Sequence, residues 1–280
     1  MSVRKNLESK KRIVVKIGSS SLTYNTGSIN INSIERLSKI ISDLANRGLQ
    51  VILVSSGAVA LGRDVLKLPK KDGGRDLSEK QALAAVGQSR LMSMYSKYFA
   101  EYGHMVGQIL LTKDVLENNV SRENAANTFN TLLENGVIPI VNENDTVSTE
   151  GLGRLTSFGD NDTLSAIVAT VTNAQLLILL SDRDGFYDMD PGKNKDAKLI
   201  SVVDEISADI INAAEGAASD FGTGGAITKI MAAQIAMEAG VIMVIANGKD
   251  PAVLYDILDG KDIGTIFAAR NSGEIQCGTA

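Results

Sequence analysis

Two stretches near the start of the chain decide the predicted fold. Residues 14–22 read VVKIGSSSL and residues 52–62 read ILVSSGAVALG, so each has a short apolar run that ends in a loop of glycine and serine. Similar apolar runs recur further along the chain, separated by segments whose apolar residues repeat at helical spacing. This alternation is typical of parallel strands that helices cover on both faces.

The predicted elements form one open α/β sheet. We expect its strands at residues 13–17, 51–54, 106–111, 137–141, 176–180 and 241–246. Since helices should cover both faces, the predicted fold class is α/β, a three-layer αβα sandwich with a mainly parallel open central sheet. No linker rich in Pro, Gly and Ser divides the chain, so we expect one domain over residues 1–280 with a core of about 12–268. The first ten residues and the segment 269–280 are predicted to be frayed tails.

Composition excludes several classes of function. The net charge of −5 argues against nucleic acid as a partner, because nucleic-acid binders concentrate Lys and Arg on one face. No apolar run is long enough to span a bilayer, and the first residues lack the apolar segment of a signal peptide, so we expect a cytoplasmic protein without a membrane partner. The single cysteine, Cys277, and the single histidine, His104, leave no basis for a disulfide or for a cysteine or histidine metal site.

In open α/β sheets, ligands bind beyond the carboxyl ends of the strands, so the loops after the strands are the candidate sites. Lys16 is followed by Gly18 and three serines, a combination that can hold a phosphate with backbone N–H groups and one ammonium. A lysine at the strand edge that points to water would give the same pattern. Ser56 and Gly57 stand where a strand turns into a helix, which favours either an anion site or a serine N-cap without a ligand.

Two further loops combine carboxylates with amides, in the segments NEND at 142–145 and GDND at 159–162. Such side chains can bind a substrate ammonium, orient lysines or meet metal-bound water. Capping of the following helix is the alternative for Asp160 and Asp162.

Two loops in the second half of the chain also indicate phosphate. Ser181 and Asp182 follow a predicted strand, and the glycine run at 222–225 leads into a helix that carries Lys229. A surface turn would also account for the glycines. Neither GxxxxGK[ST] nor a GxGxxG after a strand is present, which disfavours the common nucleotide-binding folds.

Nine segments taken together resemble the amino acid kinase family over about residues 12–268. They are VVKIGSSSL, ILVSSGAVALG, KQALAAVGQSRLM, GQILLT, NTFNTLL, PIVNENDTV, GDNDTLSA, LLSDRDGFY and GTGGAITK. The segment KQALAAVGQSRLM and the NEND and GDND pairs resemble the branch that phosphorylates glutamate, rather than acetylglutamate, aspartate or carbamate. The resemblance implies an enzyme that uses ATP to convert the γ-carboxylate of L-glutamate to L-glutamyl 5-phosphate, the first step of proline biosynthesis.

The resemblance also implies a role for each matched residue. Two lysines stabilise the phosphoryl group in transfer and a carboxylate holds them, so the implied catalytic residues are Lys16, Lys229 and Asp162. The implied amino-acid contacts, among which Asp145 faces the α-ammonium and Asp160 supports its loop, are Ser56, Gly57, Asn142, Asp145, Asp160 and Asn161. The implied nucleotide contacts are Lys16, Gly18, Ser181, Asp182, Thr223, Gly224, Gly225, Ala226, Ile227, Thr228 and Lys229.

Partners and domain organisation follow from the same resemblance. It implies an amino-acid lobe over about 12–172, an ATP lobe over about 173–268, Mg²⁺ carried on the ATP phosphates, inhibition by free proline, and a homo-oligomer (dimer or tetramer). Many members of this branch continue into a C-terminal PUA domain; we expect the form that lacks it, with catalysis intact. The alternatives are a sister kinase for acetylglutamate or aspartate and a non-catalytic amino-acid sensor. The presence of both Lys16 and Lys229 favours catalysis.

Overall fold

A computed structural model describes residues 3–68, 76–113, 118–147, 160–216 and 225–268. Strands and helices alternate through these ranges. The strands are β1 (Arg12–Ile17), β2 (Gln50–Ser55), β3 (Val106–Leu111), β4 (Ile138–Glu143), β5 (Leu176–Ser181), β6 (Val202–Val203), β7 (Ile242–Asn247) and β8 (Thr265–Phe267). The helices are α1 (Ser19–Leu22), α2 (Ile31–Asn46), α3 (Ala58–Val65), α4 (Leu77–Glu101), α5 (Asn119–Glu134), α6 (Asn161–Val171), α7 (Ala208–Gly216), α8 (Ala226–Glu238) and α9 (Val253–Leu258), and a 3₁₀ helix covers Val3–Ser9.

The strands form one sheet of eight in the order β3-β4-β2-β1-β5-β7-β8-β6. Neighbouring strands are parallel except for β7 and β8, which are antiparallel. The six predicted strands correspond to β1 to β5 and β7 within two residues at each end, so this prediction is confirmed. β6 and β8 were not predicted, because strands of two and three residues are too short to show an alternating pattern.

Side chains of the central strands alternate between two hydrophobic cores, one on each face of the sheet. Ile13, Val15 and Ile17 of β1 pack in the core that α2, α4 and α9 cover. Val14 packs in the opposite core, beneath α5, α6 and α8. The predicted three-layer αβα sandwich is therefore confirmed, and the alternation places Lys16 on the same face as Val14.

Helices α3 and α4 touch through their backbones at two glycines. A Cβ atom at Gly62 would lie 1.9 Å from the carbonyl oxygen of Leu83, and one at Gly87 would lie 1.7 Å from the carbonyl oxygen of Ala58. Any larger residue would push the helices apart. This contact fixes the start of α3 against the middle of α4. No described helix, including the 25-residue α4, is long and apolar enough to cross a membrane.

The described part of the N-terminal segment, from residue 3 onward, is packed, so the prediction of a frayed tail is wrong for these residues. Leu7 is fully buried and Arg4 is 7% exposed. The Arg4 guanidinium donates to the carbonyl oxygens of Ser201 and Ile263 at 2.9 Å and of Gly264 at 3.1 Å. These partners lie some two hundred residues or more along the chain, where local sequence patterns carry no information about them. The predicted tail at 269–280 lies outside the described residues.

Candidate active site

Three charged side chains meet beyond the carboxyl end of β1. The Lys16 ammonium lies 2.6 Å from Oδ1 of Asp162, and the Lys229 ammonium lies 3.1 Å from Oδ2 of the same carboxylate. Asp162 is 1% exposed. One buried carboxylate thus holds two ammonium groups, each on its own oxygen, and we call these three residues the charge cluster.

The strand alternation and two helix starts bring the charge cluster together. Lys16 shares the face of the sheet that α6 and α8 cover. Asp162 lies in the first turn of α6 and Lys229 in the first turn of α8, and these two helices pack against each other. Because ligands of parallel sheets bind at this edge, the charge cluster lies where the fold offers an anion site.

Electrostatics keep Asp162 ionised. Burial disfavours its charged form, but the charges and hydrogen bonds of Lys16 and Lys229 together outweigh burial and lower its pKa below the usual value. The carboxylate therefore stays negative over the range in which most enzymes work, and it holds both ammonium groups.

Asp160 has a different environment. Its Oδ1 accepts hydrogen bonds from the backbone N–H groups of Asp162 at 2.6 Å and Thr163 at 2.9 Å, so Asp160 is the N-cap of α6. Burial, the largest influence, and the nearby negative charge of Asp162 raise its pKa. The capping alternative for Asp160 is therefore what the structure shows, whereas a contact with substrate stays a prediction.

Four polar side chains form a hydrogen-bonded chain beside the charge cluster, which we call the amide relay. Asn161 donates from Nδ2 to both Ser56 Oγ and Asn142 Oδ1, each at 2.9 Å. Asn142 donates from its own Nδ2 to Gln88 Oε1 at 2.9 Å. The structure thus brings together three of the predicted substrate residues, on α6, β4 and the loop after β2. Sequence reasoning missed Gln88, although it lies inside the segment KQALAAVGQSRLM.

A cleft of about 430 Å³ opens next to the amide relay. Its walls come from α4, from β3, and from the end of β4 with the residues after it, and they include Gln88, Gln108, Glu143 and Asp145. Gly57 adopts a φ of +102° at the start of α3, a conformation that favours glycine and lets the chain turn sharply between Ser56 and the helix. Of the predicted amino-acid residues, Asp145 lines this cleft, and the amide relay of Ser56, Asn161 and Asn142 reaches it through Gln88.

Comparison with known proteins identifies the family of this chain. The model of the amino acid kinase family matches residues 11–247. The chain belongs to the amino acid kinase family. Among its relatives are proteins named glutamate 5-kinase from Clostridium perfringens, at 54% identity over 96% of this chain and 99% of the relative, and from Listeria monocytogenes, at 50% identity over 96% of each. The predicted family is thus confirmed, and the chain is a kinase.

Solved structures share the fold of this kinase at low sequence identity. UMP kinase from Bacillus anthracis has a TM-score of 0.60 at 17% identity and covers 94% of this chain and 97% of its own. UMP kinase from Ureaplasma parvum has a TM-score of 0.61 at 18% identity and covers 92% of this chain and 99% of its own. At such identities the likeness shows the fold alone.

The described members of the predicted nucleotide residues lie at the carboxyl ends of β1 and β5 and at the start of α8. A Cβ atom at Gly18 would lie 3.5 Å from the Lys16 ammonium, so the loop after β1 passes directly beside that charge. Ser181 donates to the Asp182 carboxylate at 3.1 Å. Thr228 Oγ1 shares its one hydrogen between Asp162 Oδ2 at 3.2 Å and the carbonyl oxygen of Gly225 at 2.9 Å, which ties the start of α8 to the charge cluster. Ala226 and the exposed Ile227 are the first two residues of α8. Thr223 and Gly224 lie outside the described residues.

Proposed function

We propose that this kinase transfers the γ-phosphoryl group of ATP to the γ-carboxylate of L-glutamate and forms L-glutamyl 5-phosphate, the first intermediate of proline biosynthesis. The observation that carries the proposal is the charge cluster, in which one buried carboxylate holds two ammonium groups beside the amide relay. Relatives about half identical over nearly the whole chain bear the name glutamate 5-kinase, which supports the choice of substrate.

The chemistry of the reaction fits these residues. A bond forms between a γ-carboxylate oxygen and the γ-phosphorus, the bond from that phosphorus to the bridging oxygen breaks, and ADP leaves. The attacking carboxylate is already ionised, so the reaction needs no general base. Phosphoryl transfer depends mainly on positioning and on positive charge around the equatorial oxygens, which Lys16 and Lys229 supply. Asp162 holds both ammonium groups in place before the phosphoryl group arrives.

The ATP side of the proposed site uses the second half of the chain. We assign the triphosphate to Lys16, Gly18 and the first turn of α8, where unpaired N–H groups and Lys229 favour negative charge. Ser181 and Asp182 at the end of β5 complete the nucleotide side. Mg²⁺ bound to the ATP phosphates supplies further positive charge, and we assign it no protein ligand. The proposed lobes are thus about 12–172 for the amino acid and about 173–268 for ATP.

The amino-acid side uses the amide relay and the cleft beside it. Ser56 offers its hydroxyl and Asn142 its remaining amide hydrogen to the substrate carboxylates, and Asn161 orients both groups through its two hydrogen bonds. Asp145 lines the cleft and pairs with the α-ammonium of the substrate. The cleft thus favours an amino acid with a free amine.

Trapping the product tests this function directly. Hydroxylamine converts an acyl phosphate to a hydroxamate, so wild-type protein is assayed with ATP, Mg²⁺ and L-glutamate, L-aspartate or N-acetyl-L-glutamate. We expect a clear signal with glutamate and a weaker one with aspartate, because one methylene is worth about 10–200-fold. N-acetylglutamate should stay near background, because loss of a specific polar contact costs up to about 10⁴–10⁵-fold. Preference for N-acetylglutamate or aspartate would contradict the proposal, and no reaction with any acid would favour the sensor.

We further infer regulation by free proline, assembly into a homo-oligomer and a cytoplasmic location, all supported by the family membership. Proline should inhibit at subsaturating glutamate, and a flat titration would remove this inference. Analytical ultracentrifugation should give a dimer or a tetramer; a monomer at micromolar concentration would contradict the assembly.

A further inference from the structure

The amide relay has a definite direction. Asn161 Nδ2 uses both of its hydrogens, one on Ser56 Oγ and one on Asn142 Oδ1. Asn142 must therefore present its oxygen to Asn161, which leaves its Nδ2 to donate to Gln88 Oε1. Since Ser56 Oγ accepts from Asn161, the hydroxyl hydrogen of Ser56 is left to donate elsewhere.

The opposite direction would change what Ser56 offers to a ligand. If Asn142 turned its Nδ2 toward Asn161, the Asn161 side chain would have to turn its Oδ1 toward both Asn142 and Ser56. The Ser56 hydroxyl would then donate to Asn161 and would present only lone pairs to a substrate carboxylate, which repels them. In the structure Gln88 Oε1 accepts from Asn142, and this is the direction of the amide relay in which Ser56 is a donor.

Gln88 itself is held in place and is only partly satisfied. It is 8% exposed, and its Nε2 is buried without a hydrogen-bond partner among the described residues. The neighbouring Gly87 packs directly on the carbonyl of Ala58, which fixes the α4 backbone against the start of α3. A buried donor without a partner costs free energy, so the position of Gln88 is not explained by the stability of the fold alone.

We propose that Gln88 is a positioning residue for the amino-acid substrate, which sets the direction of the amide relay so that Ser56 donates to a substrate carboxylate. This inference rests on the proposed function and deepens it. Gln88 acts through Asn142 and Asn161, so its effect should fall on the amino acid and leave ATP unaffected.

A double-mutant cycle tests this coupling. Gln88→Met keeps the size and helix preference of the side chain but removes the acceptor, so Asn142 loses its fixed direction. We expect the KM for glutamate to rise about 5- to 10-fold, the scale of one net hydrogen bond, with the KM for ATP unchanged. In a Ser56→Ala background the serine donor is gone, so Gln88→Met should add less than about 2-fold, a strong departure from additivity.

Two controls make the outcome decisive. Gln234→Met replaces an exposed glutamine on α8 and should leave both KM values at the wild-type level. Gln88→Leu provides a second variant should Gln88→Met fail to fold. The proposal would be overturned by equal effects of Gln88→Met in the two backgrounds or by a parallel rise in the KM for ATP. It would also be overturned by an unchanged KM for glutamate or by unfolding of both Gln88 variants.

The cycle also separates the two proposals. It is measured with whichever amino acid the wild-type protein phosphorylates, and in parallel as the Kd for L-glutamate by calorimetry without ATP. A wild-type protein that prefers another acid counts against the proposed substrate, whereas an additive cycle counts against the role of Gln88.

Discussion

Two buried cations beside different strands of the sheet show how a structural charge differs from a functional one. The Arg4 side chain is 8% exposed and the Lys16 side chain is 11% exposed, so burial does not distinguish them. Arg4 donates to backbone carbonyls of Ser201, Ile263 and Gly264 and pairs with the exposed Asp262. Lys16 pairs with the Asp162 carboxylate, and its ammonium lies beside Gly18 in the loop after β1.

The difference lies in what each cation leaves for a ligand. The guanidinium of Arg4 donates hydrogen bonds to protein carbonyls and so ties the N-terminal 3₁₀ helix to the chain around β8. The ammonium of Lys16 has three donors and Asp162 as its partner among the described residues, so it keeps capacity for an anion. A buried cation that keeps unused donors at the carboxyl end of a parallel strand therefore indicates a functional site. A buried cation whose donors are all used by the protein indicates a role in stability.

Asp162→Asn should have the largest effect on stability. The change leaves two buried ammonium groups without a counter-charge, which typically costs about 3–5 kcal/mol in the free energy of unfolding. Urea unfolding at pH 7 measures this, with the exposed Asp204→Asn as the control. A cost as small as that of the control would show that the carboxylate does not hold the lysines.

The pH dependence of the same variant sharpens the result. The pKa of Asp162 is lower in the folded state, so its stabilisation is complete above the usual carboxyl pKa of about 4 and is lost as pH falls through the folded-state pKa. The difference in unfolding free energy between wild type and Asp162→Asn should therefore shrink below about pH 4. A difference that grows on acidification would contradict the ion cluster.

Lys16→Met should lower kcat by about 10²–10³-fold, the scale of one preorganised donor to a developing charge. The fold should persist, because Lys229 still pairs with Asp162. Lys229→Met should act in the same way. Steady-state kinetics measure both, and Lys39→Met, at an exposed position on α2, is the matched control. Wild-type turnover in a folded Lys16→Met protein would remove the role assigned to this lysine.

Arg4→Met should cost about 2–3 kcal/mol of stability, because buried carbonyls lose their donor. For a chain of this size that corresponds to a fall in Tm of roughly 4–12 °C. The kcat of the folded fraction should not change, since Arg4 lies far from the charge cluster in the sheet order. A reduced kcat at a temperature well below the transition would show that the two cations are coupled.

Arg36→Met should have the smallest effect. Arg36 pairs with Asp250 at 2.8 Å, but both side chains are about half exposed. Exposed pairs contribute about 0.2–1 kcal/mol, so Tm should move by a few degrees at most. A loss of stability comparable to that of Arg4→Met would mean that the exposure of a cation does not predict how much its interactions stabilise this protein.

Local patterns predicted the strands and the position of the site, but not the pairing of side chains. Apolar runs located six strands, and the rule for parallel sheets located Lys16 and Asp162 at the correct edge. Local patterns could not show that Asp162 holds both lysines, because Lys229 lies 67 residues further on, and only the family resemblance implied it. Gln88 was missed because its partner Asn142 is 54 residues away and its own segment fits an ordinary helix. Arg4 was missed for the same reason, and Asp160 could not be assigned between capping and binding without its backbone partners.

One paired measurement tests the central claim most directly, namely kcat and Tm determined on the same preparations of Lys16→Met and Arg4→Met. We predict that Lys16→Met loses about 10²–10³-fold in glutamate-dependent hydroxamate formation while its Tm stays near that of the wild type. Arg4→Met should lose several degrees of Tm while its kcat stays near the wild-type value. The account would be contradicted if Lys16→Met stayed active, or if Arg4→Met lost activity while fully folded.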